Sequence, residues 1–577
     1  MPLSSYLLVA FPCLLMQGVQ ADHPTPEQIA WLKKNAIVFN TAEAGSGFED
    51  LMPLKELIGE ARIVALGEGT HGTREFFQMK HRLVEFLAGE MGFTIFSIEA
   101  NMPEAYRVNE YVQTGKGDPA KLLGGMYFWT WNTQEVLDMI HWMRRFNESG
   151  KGRIEFTGFD MQFPDVAMRI VQDFVRKVEP EYAKTLEDTY QAVRGAKKTA
   201  GGAGFGVATG SFPVEAAAGK RIVFSGYIKT EGITNGYAGL WWRADGKTGV
   251  LAFDNMQSRK IKGTTPWTRY QFELDIPSET ININFGVLHP GDGTAWFDAL
   301  KVEIDGKEYV NKDLFDFDFE SPSQRPKGFL TGGESYLIAL DSGTAQSGKQ
   351  SLRIERRKSD PKKVQGLDAR AAARKCREVL GHLESSRGRY QKSESSEKIE
   401  WAIQNARVVL QCFQMYSNEV SRDQSMAQNV KWILDHAEPD TKIILWAHNG
   451  HVNKLMGAMG AHLDRMYGDQ MVVLGFACHQ GRYTAVGDKG LGSHDIQAPP
   501  PGSVESYFHS THLPRFILDL RKASTEAPES QWLTQPIRFR SIGALAIEQQ
   551  FHPYNVSMAF DALIYFEKTT ASRLLGR

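Results

Sequence analysis

The sequence predicts an α/β protein, a mostly parallel sheet flanked by helices, interrupted by an inserted all-β, jelly-roll-like sandwich. Three observations predict it. Short apolar runs alternate with segments of helical periodicity through residues 30–197 and again through 360–570, as parallel strands joined by crossover helices do. Between them, residues 200–355 carry glycine-rich turns and period-two runs without helical periodicity. At 577 residues, the chain also exceeds what a single hydrophobic core usually serves, so two or more domains are expected.

The N-terminus reads as a leader. An apolar run over 6–16 is followed by Val19-Gln20-Ala21, an A-x-A-like cleavage site, so residues 1–21 are expected to be a secretory signal peptide. The run is shorter than the roughly 20 apolar residues a membrane-spanning helix needs. Cys13 follows Pro12 and lacks the small preceding residue of a lipid-anchor site. A secreted or periplasmic location follows, with no stable membrane insertion.

In the first α/β half, 61–67 (ARIVALG) is a buried strand ending in glycine. Phe76, Met79, Leu83, Phe86 and Leu87 then form the apolar face of a helix. Strands follow at 93–98 (FTIFSI) and 153–159 (RIEFTGF). Helices are expected at 102–112 and 134–146, and from the third strand to about 193. In the insertion, 221–229, 267–274 and 282–287 alternate as strands. This stretch resembles a carbohydrate-binding-module-like jelly roll in permuted order, because 317–320 and 347–355 (SGKQSLRIE) follow the segment they would normally precede. Trp241, Trp242, Trp267 and Trp296 are placed either to stack on sugar rings, making a glycan a candidate partner, or to fill the sandwich core. The second α/β half has long helices at 362–390 and 394–436. Its strands are 442–447 (KIILWA), 471–477 (MVVLGFA), 515–518 and 560–567.

Composition narrows the function. Lys and Arg number 66 against 68 Asp and Glu, a net charge of −2 that offers no footprint for nucleic acid or an anionic membrane. Past the leader, Cys376, Cys412 and Cys478 are scattered, which argues against a disulfide framework or a cysteine-based zinc site.

Ligands of open α/β sheets bind beyond the carboxyl ends of the strands. There the sequence places Glu68, Glu99, Asp160 and His448, with His71 three residues past Glu68 and His451 three past His448. One edge thus collects carboxylates and imidazoles, a shared active site. No G-x-S-x-G elbow is present, and no serine stands in an evident triad with the histidines, so water is the expected nucleophile.

The same residues resemble the erythromycin esterase family: Gly67-Glu68-Gly69-Thr70-His71-Gly72 with Glu75-Phe76 and Arg82, Ser97-Ile98-Glu99, Gly158-Phe159-Asp160, Ser421-Arg422-Asp423 with Met426, and Ala447-His448-Asn449-Gly450-His451. The resemblance covers both α/β halves and leaves the sandwich outside. It implies cleavage of a carboxylic ester such as a macrolide lactone, a small-molecule substrate and no cofactor or metal, with His71 as general base. An imidazole, ordinarily of pKa about 6.5, can take a proton from water at neutral pH. Glu68 or Glu99 would orient the ring, and Arg82 would hold a carboxylate or oxyanion. His448 and His451 would serve the oxyanion or the leaving alcohol. Glu75, Asp160, Arg422, Asp423 and Asn449 are expected to bind substrate or support the site. Two rivals remain at this point: a metal-dependent hydrolase using the same Glu/His cluster, and a secreted glycan-binding protein with an inactive body.

Overall fold

The computed structural model describes residues 23–194, 196, 205–246, 249–322, 326–333, 336–356, 367–487, 490–547 and 549–576. The expected leader therefore lies outside the described residues.

Burial on both faces produces the main sheet. In Ile63–Leu66 and Lys442–Trp446 every residue from Ile63 and Ile443 onward is buried. Successive side chains of a strand point to opposite faces. Ile63, Ala65, Ile443 and Leu445 accordingly enter one core, while Val64, Leu66, Ile444 and Trp446 enter the other. Across the sheet the strands run Ala36–Val38, Arg515–Asp519, Ala562–Thr569, Met471–Gly487, Ile63–Leu66, Lys442–Trp446, Phe93–Asn101 and Glu155–Asp160. The last six are parallel. The first two pair antiparallel at one edge, and Gly490–Asp495 forms a hairpin with Met471–Gly487.

Several boundaries differ from expectation for identifiable reasons. The strand expected at 93–98 continues to Asn101, so Glu99 lies within it. The helix expected after the third strand is two helices, Asp165–Val178 and Pro180–Arg194, divided where proline must start a new one. The helix expected over 394–436 is also two, Ser396–Ser417 and Arg422–Asp435. Asn418 ends the first in the left-handed conformation, and the Ser421 side chain caps the second. That break puts Arg422 and Asp423 at a helix start facing the carboxyl edge of the sheet.

Between the α/β halves lie two antiparallel sheets. One runs Leu330–Gly332, Phe205–Ser211, Asn282–Pro290, Gly239–Gly246 and Gly249–Asp254; the other runs Tyr336–Asp341, Ser351–Arg356, Thr294–Ile304, Arg221–Ile233 and Gly263–Asp275. Phe224 of the second packs against Trp242 and Phe285 of the first in a core of their own. The tryptophans divide. Trp242 and Trp296 are buried, the latter donating its indole N–H to Asp341, so neither offers a face to a sugar; Trp241 and Trp267 are half-buried. The three described cysteines are free and buried.

Candidate active site

The site is assembled from strand ends. Glu68 follows Ile63–Leu66 and is fully buried. Gly67 must be glycine because a Cβ there would overlap the Asn449 side chain. Glu68 Oε1 pairs with His71 Nδ1 at 2.7 Å, and Oε2 accepts from Lys80 Nζ at 2.6 Å and from the Trp446 indole at 2.9 Å. A carboxylate held by three donors orients the imidazole, as the third member of a triad does. Among the described residues His71 Nε2 makes no hydrogen bond, and its ring lies 4.9 Å from that of His448 and 5.9 Å from that of Trp131.

Glu99 anchors the other half. Its Oε1 accepts from Arg422 Nη2 at 2.7 Å and lies 3.4 Å from His451 Nε2, while Oε2 accepts the His448 backbone N–H at 3.0 Å. Burial alone would raise its pKa. The charges of His451, Arg422 and His71, with that N–H, outweigh burial and hold the carboxyl well below its usual range. Arg422 also grips Asp160 through Nε and Nη2, at 3.2 and 2.7 Å. Burial opposes its charge, but Asp160 and Glu99 more than compensate and push its pKa up. His451 sits between Arg422 Nη1, at 3.1 Å from Nε2, and Asp423 Oδ1, at 2.8 Å from Nδ1. Burial works against its charge, yet Glu99 and Asp423 raise its pKa overall.

The structure thus brings Glu68, His71, Glu99, Asp160, Arg422, Asp423, His448 and His451 into one network, with other contacts than expected for four residues. Arg82 points away, donating to Asp50 and to the carbonyls of Thr41 and Gly47. Fully engaged and buried, it ties down the loop before the first central strand and has no donor left for an oxyanion. Glu75 accepts from the Thr570 N–H and hydroxyl, latching the C-terminal segment. Asn449 brackets Phe476 by hydrogen bonds to its N–H and carbonyl. Both His448 ring nitrogens are taken by backbone: Nδ1 accepts the Gly450 N–H and Nε2 donates to the Ile542 carbonyl. Burial, with neighbouring His71 and His451, pulls its pKa down to about 3, so this imidazole stays neutral and holds the loop.

Two residues of the site escaped the sequence reading. Lys80 is buried over the Trp446 ring at 4.4 Å, and burial lowers its pKa to about 8 despite Glu68. Its signal was present: a lysine in the apolar stripe, four residues past Phe76 and three before Leu83. Trp131 donates its indole N–H to the Glu99 carbonyl and borders His71. Among the described residues, the His/Asp/Glu trio whose ligand atoms converge is His479, His509 and Glu567, which shares no member with the Glu/His cluster.

The family model of erythromycin esterase matches residues 88–218 and 335–569, more than half of the chain. The chain belongs to the erythromycin esterase family. The matched stretches contain Glu99, Asp160, Arg422, Asp423, His448 and His451, whereas Glu68 and His71 precede them, and the interval between the stretches falls within the antiparallel sheets. Over 173 residues the chain is 30% identical to erythromycin esterase type II of Escherichia coli, covering 28% of this chain and 40% of that protein. The match therefore spans less than half of that relative's length. A crystal structure of a Bacillus cereus protein superposes with a TM-score of 0.60 at 19% identity, covering 96% of this chain and all of the other. The erythromycin esterase mutant EreC in its open conformation gives a TM-score of 0.50 at 13% identity, covering 91% of this chain and 95% of its own. These two likenesses speak to the fold.

Proposed function

We propose that this protein is a carboxylic-ester hydrolase in which His71 draws a proton from the attacking water. The observation that carries the reading is the His71–Glu68 pair: Nδ1 is fixed by a buried, triply held carboxylate, and Nε2 has no hydrogen-bond partner among the described residues. Glu68 holds the Nδ1 proton, so the lone pair of the neutral ring sits on Nε2, where a water can donate to it. As the imidazolium forms, the Glu68 and Glu99 carboxylates favour its charge. Hydroxide then adds to the ester carbonyl, and the tetrahedral intermediate collapses by returning the proton from His71 to the leaving alcohol.

Arg422 takes the oxyanion role first expected of Arg82. Of its five N–H donors, three go to Asp160 and Glu99, which leaves the Nη1 group, beside His451 Nε2, to face substrate. A guanidinium already clamped by two carboxylates needs no reorganisation as negative charge develops. Family membership supports the hydrolase class, and a cyclic ester of macrolide type is the proposed substrate. The test is a hydrolysis screen of macrolide lactones and simple esters with the wild type and His71→Ala. Turnover of any ester that the variant lacks supports the reading. Equal turnover by both proteins would overturn it.

The apolar run at 6–16 makes export part of the same proposal. Among the described residues no helix is long and apolar enough to cross a membrane. N-terminal sequencing of the exported protein, with a start at or near Asp22, checks the leader.

A further inference from the structure

Beside the catalytic cluster, at the carboxyl edge of the sheet, aromatic surface stands open. Tyr127 is 51% and Phe163 40% exposed, and their rings pack on each other with centroids 5.1 Å apart. Phe128 adds a third ring, 5.7 Å from that of Phe163. Chain length ties this patch to the chemistry. Phe163 lies three residues past Asp160, which Arg422 grips, so the Phe163 and Asp160 Cα atoms are at most about 11 Å apart. Tyr127 lies four residues before Trp131, whose ring is 5.9 Å from that of His71. By the same reckoning its Cα is within about 14 Å of that of Trp131.

The Phe163 backbone is clamped to the catalytic strands. The Asn101 side chain donates to its carbonyl at 3.1 Å and accepts its N–H at 3.4 Å. Asn101 ends the strand that carries Glu99, and Gln162, just before Phe163, donates to the Asp160 carboxylate. Tyr127 has a φ of 68°, in the left-handed region that is unfavourable for a residue with a Cβ. Such strain persists only where the surroundings over-determine it, and it gathers at ligand clamps. A clustered, exposed apolar patch likewise marks a place of binding. Tyr127 and Phe128 also line a hollow of about 620 Å³ with Trp129, Leu491, Leu574 and Leu575. That volume is the size of a small-molecule pocket.

We propose that Tyr127 and Phe163 are specificity-determining residues. They stack against the apolar framework of the ester while its carbonyl lies between His71 and Arg422, and the hollow takes the far end of that framework. The inference rests on the hydrolase reading and narrows it to esters with a large apolar acyl or macrocyclic part. Burial supplies the discrimination, because a short ester leaves both rings in water and a long one covers them.

Rates for 4-nitrophenyl acetate and 4-nitrophenyl octanoate, with calorimetric binding of 2-decanone, test this. 2-Decanone carries an octyl chain on a carbonyl that cannot be hydrolysed, so it reads binding without turnover. The wild type should favour the octanoate in kcat/KM by roughly tenfold or more. Phe163→Ala and Tyr127→Gly, the second free to keep the left-handed backbone, should fold normally by circular dichroism. Both should lose most of that preference through a higher KM for the octanoate, and bind 2-decanone at least about tenfold more weakly. Phe163→Leu, which keeps apolar bulk, should retain part of the preference. His71→Ala should slow both esters by a common factor, which separates the chemical step from selection. No preference in the wild type, an undiminished preference in the folded Phe163→Ala and Tyr127→Gly, or 2-decanone binding that these variants leave unaltered would each overturn the assignment. Hydrolysis of neither ester counts against the hydrolase reading, and 2-decanone binding then decides the aromatic surface by itself.

Discussion

The carboxyl edge of the parallel sheet and the antiparallel sandwich bury their side chains by opposite rules. At the sheet edge Glu68, Lys80, Glu99 and Asp160 are all buried ionisable groups, each matched to a partner from a distant segment. The sandwich core is a cluster of rings, in which Trp242 packs on Phe212, Phe224 and Phe285. Of its two buried carboxylates, Asp298 accepts backbone N–H groups, those of Ala299, Gln346 and Ser347, and so ties a turn, while Asp245 pairs with Arg243 two residues away on the same strand. Buried ion pairs are weak contributors to stability, since desolvation offsets most of their attraction. A dense network of them is explained better by chemistry than by folding. Among its described residues the sandwich has a single buried carboxylate in an ion pair, Asp245 with Arg243 on its own strand, in place of such a network, and packing explains it.

The largest expected effect strikes the network at its reactive end. His71→Ala should lower kcat by roughly 10²–10⁴-fold, the usual worth of a positioned general base, with little change in melting temperature. A folded variant with wild-type turnover would move the base elsewhere. Arg422→Met should be next, because it strands Asp160 and Glu99 without their cation. Removing one partner from a buried pair costs about 3–5 kcal/mol, read as a lower denaturation midpoint, and turnover should fall as well. Wild-type stability in that variant would mean the network is wet and loosely held.

These two residues also mark how far the chain could be read unaided. Glu68, Glu99, Asp160 and His448 are legible because an apolar strand run that turns polar puts the polar side chain near a known edge, even where, as at Glu99, the strand continues past it. Arg422 was named but its geometry was not, since the break at Asn418 depends on a single left-handed residue within a helical pattern. Arg82 went astray for a different reason. Its partner Asp50 lies in a loop without periodicity, so spacing could not show the arginine turning from the site. Lys80 is legible as a charge in an apolar stripe, but spacing alone does not show that the charge turns to Glu68.

On the sandwich side, Trp242→Ala should remove about 3–5 kcal/mol from the packing of that core, the usual cost of truncating a large buried aromatic. The loss should appear as an early unfolding transition. Hydrolysis of a small soluble ester should remain as in the wild type, because every catalytic candidate lies in the α/β halves. A drop in turnover below that transition would make the sandwich part of the active-site wall and erase the division between the two regions.

The smallest effect concerns the residue that breaks the pairing rule. Glu104 is buried on the helix Met102–Thr114, and Asn101 and Tyr127 stand near its carboxyl, yet neither oxygen has an aligned hydrogen bond among the described residues. Burial pushes its pKa up to about 7, against the opposing charge of Arg107. An unfolded glutamate titrates near 4.3, so between about pH 4.3 and 7 the folded chain binds the proton more tightly than the unfolded one. The stability this confers is fully present below that window and is lost as pH rises through about 7. Glu104→Gln cannot ionise, so its stability should lack this decline. At pH 8 the variant should be more stable than the wild type by on the order of 1–3 kcal/mol, and at pH 4 the two should nearly coincide. Denaturant titrations at both pH values measure the difference directly. Parallel curves would mean that Glu104 is charged and paired in the folded protein, and that the carboxyl edge follows its pairing rule without exception.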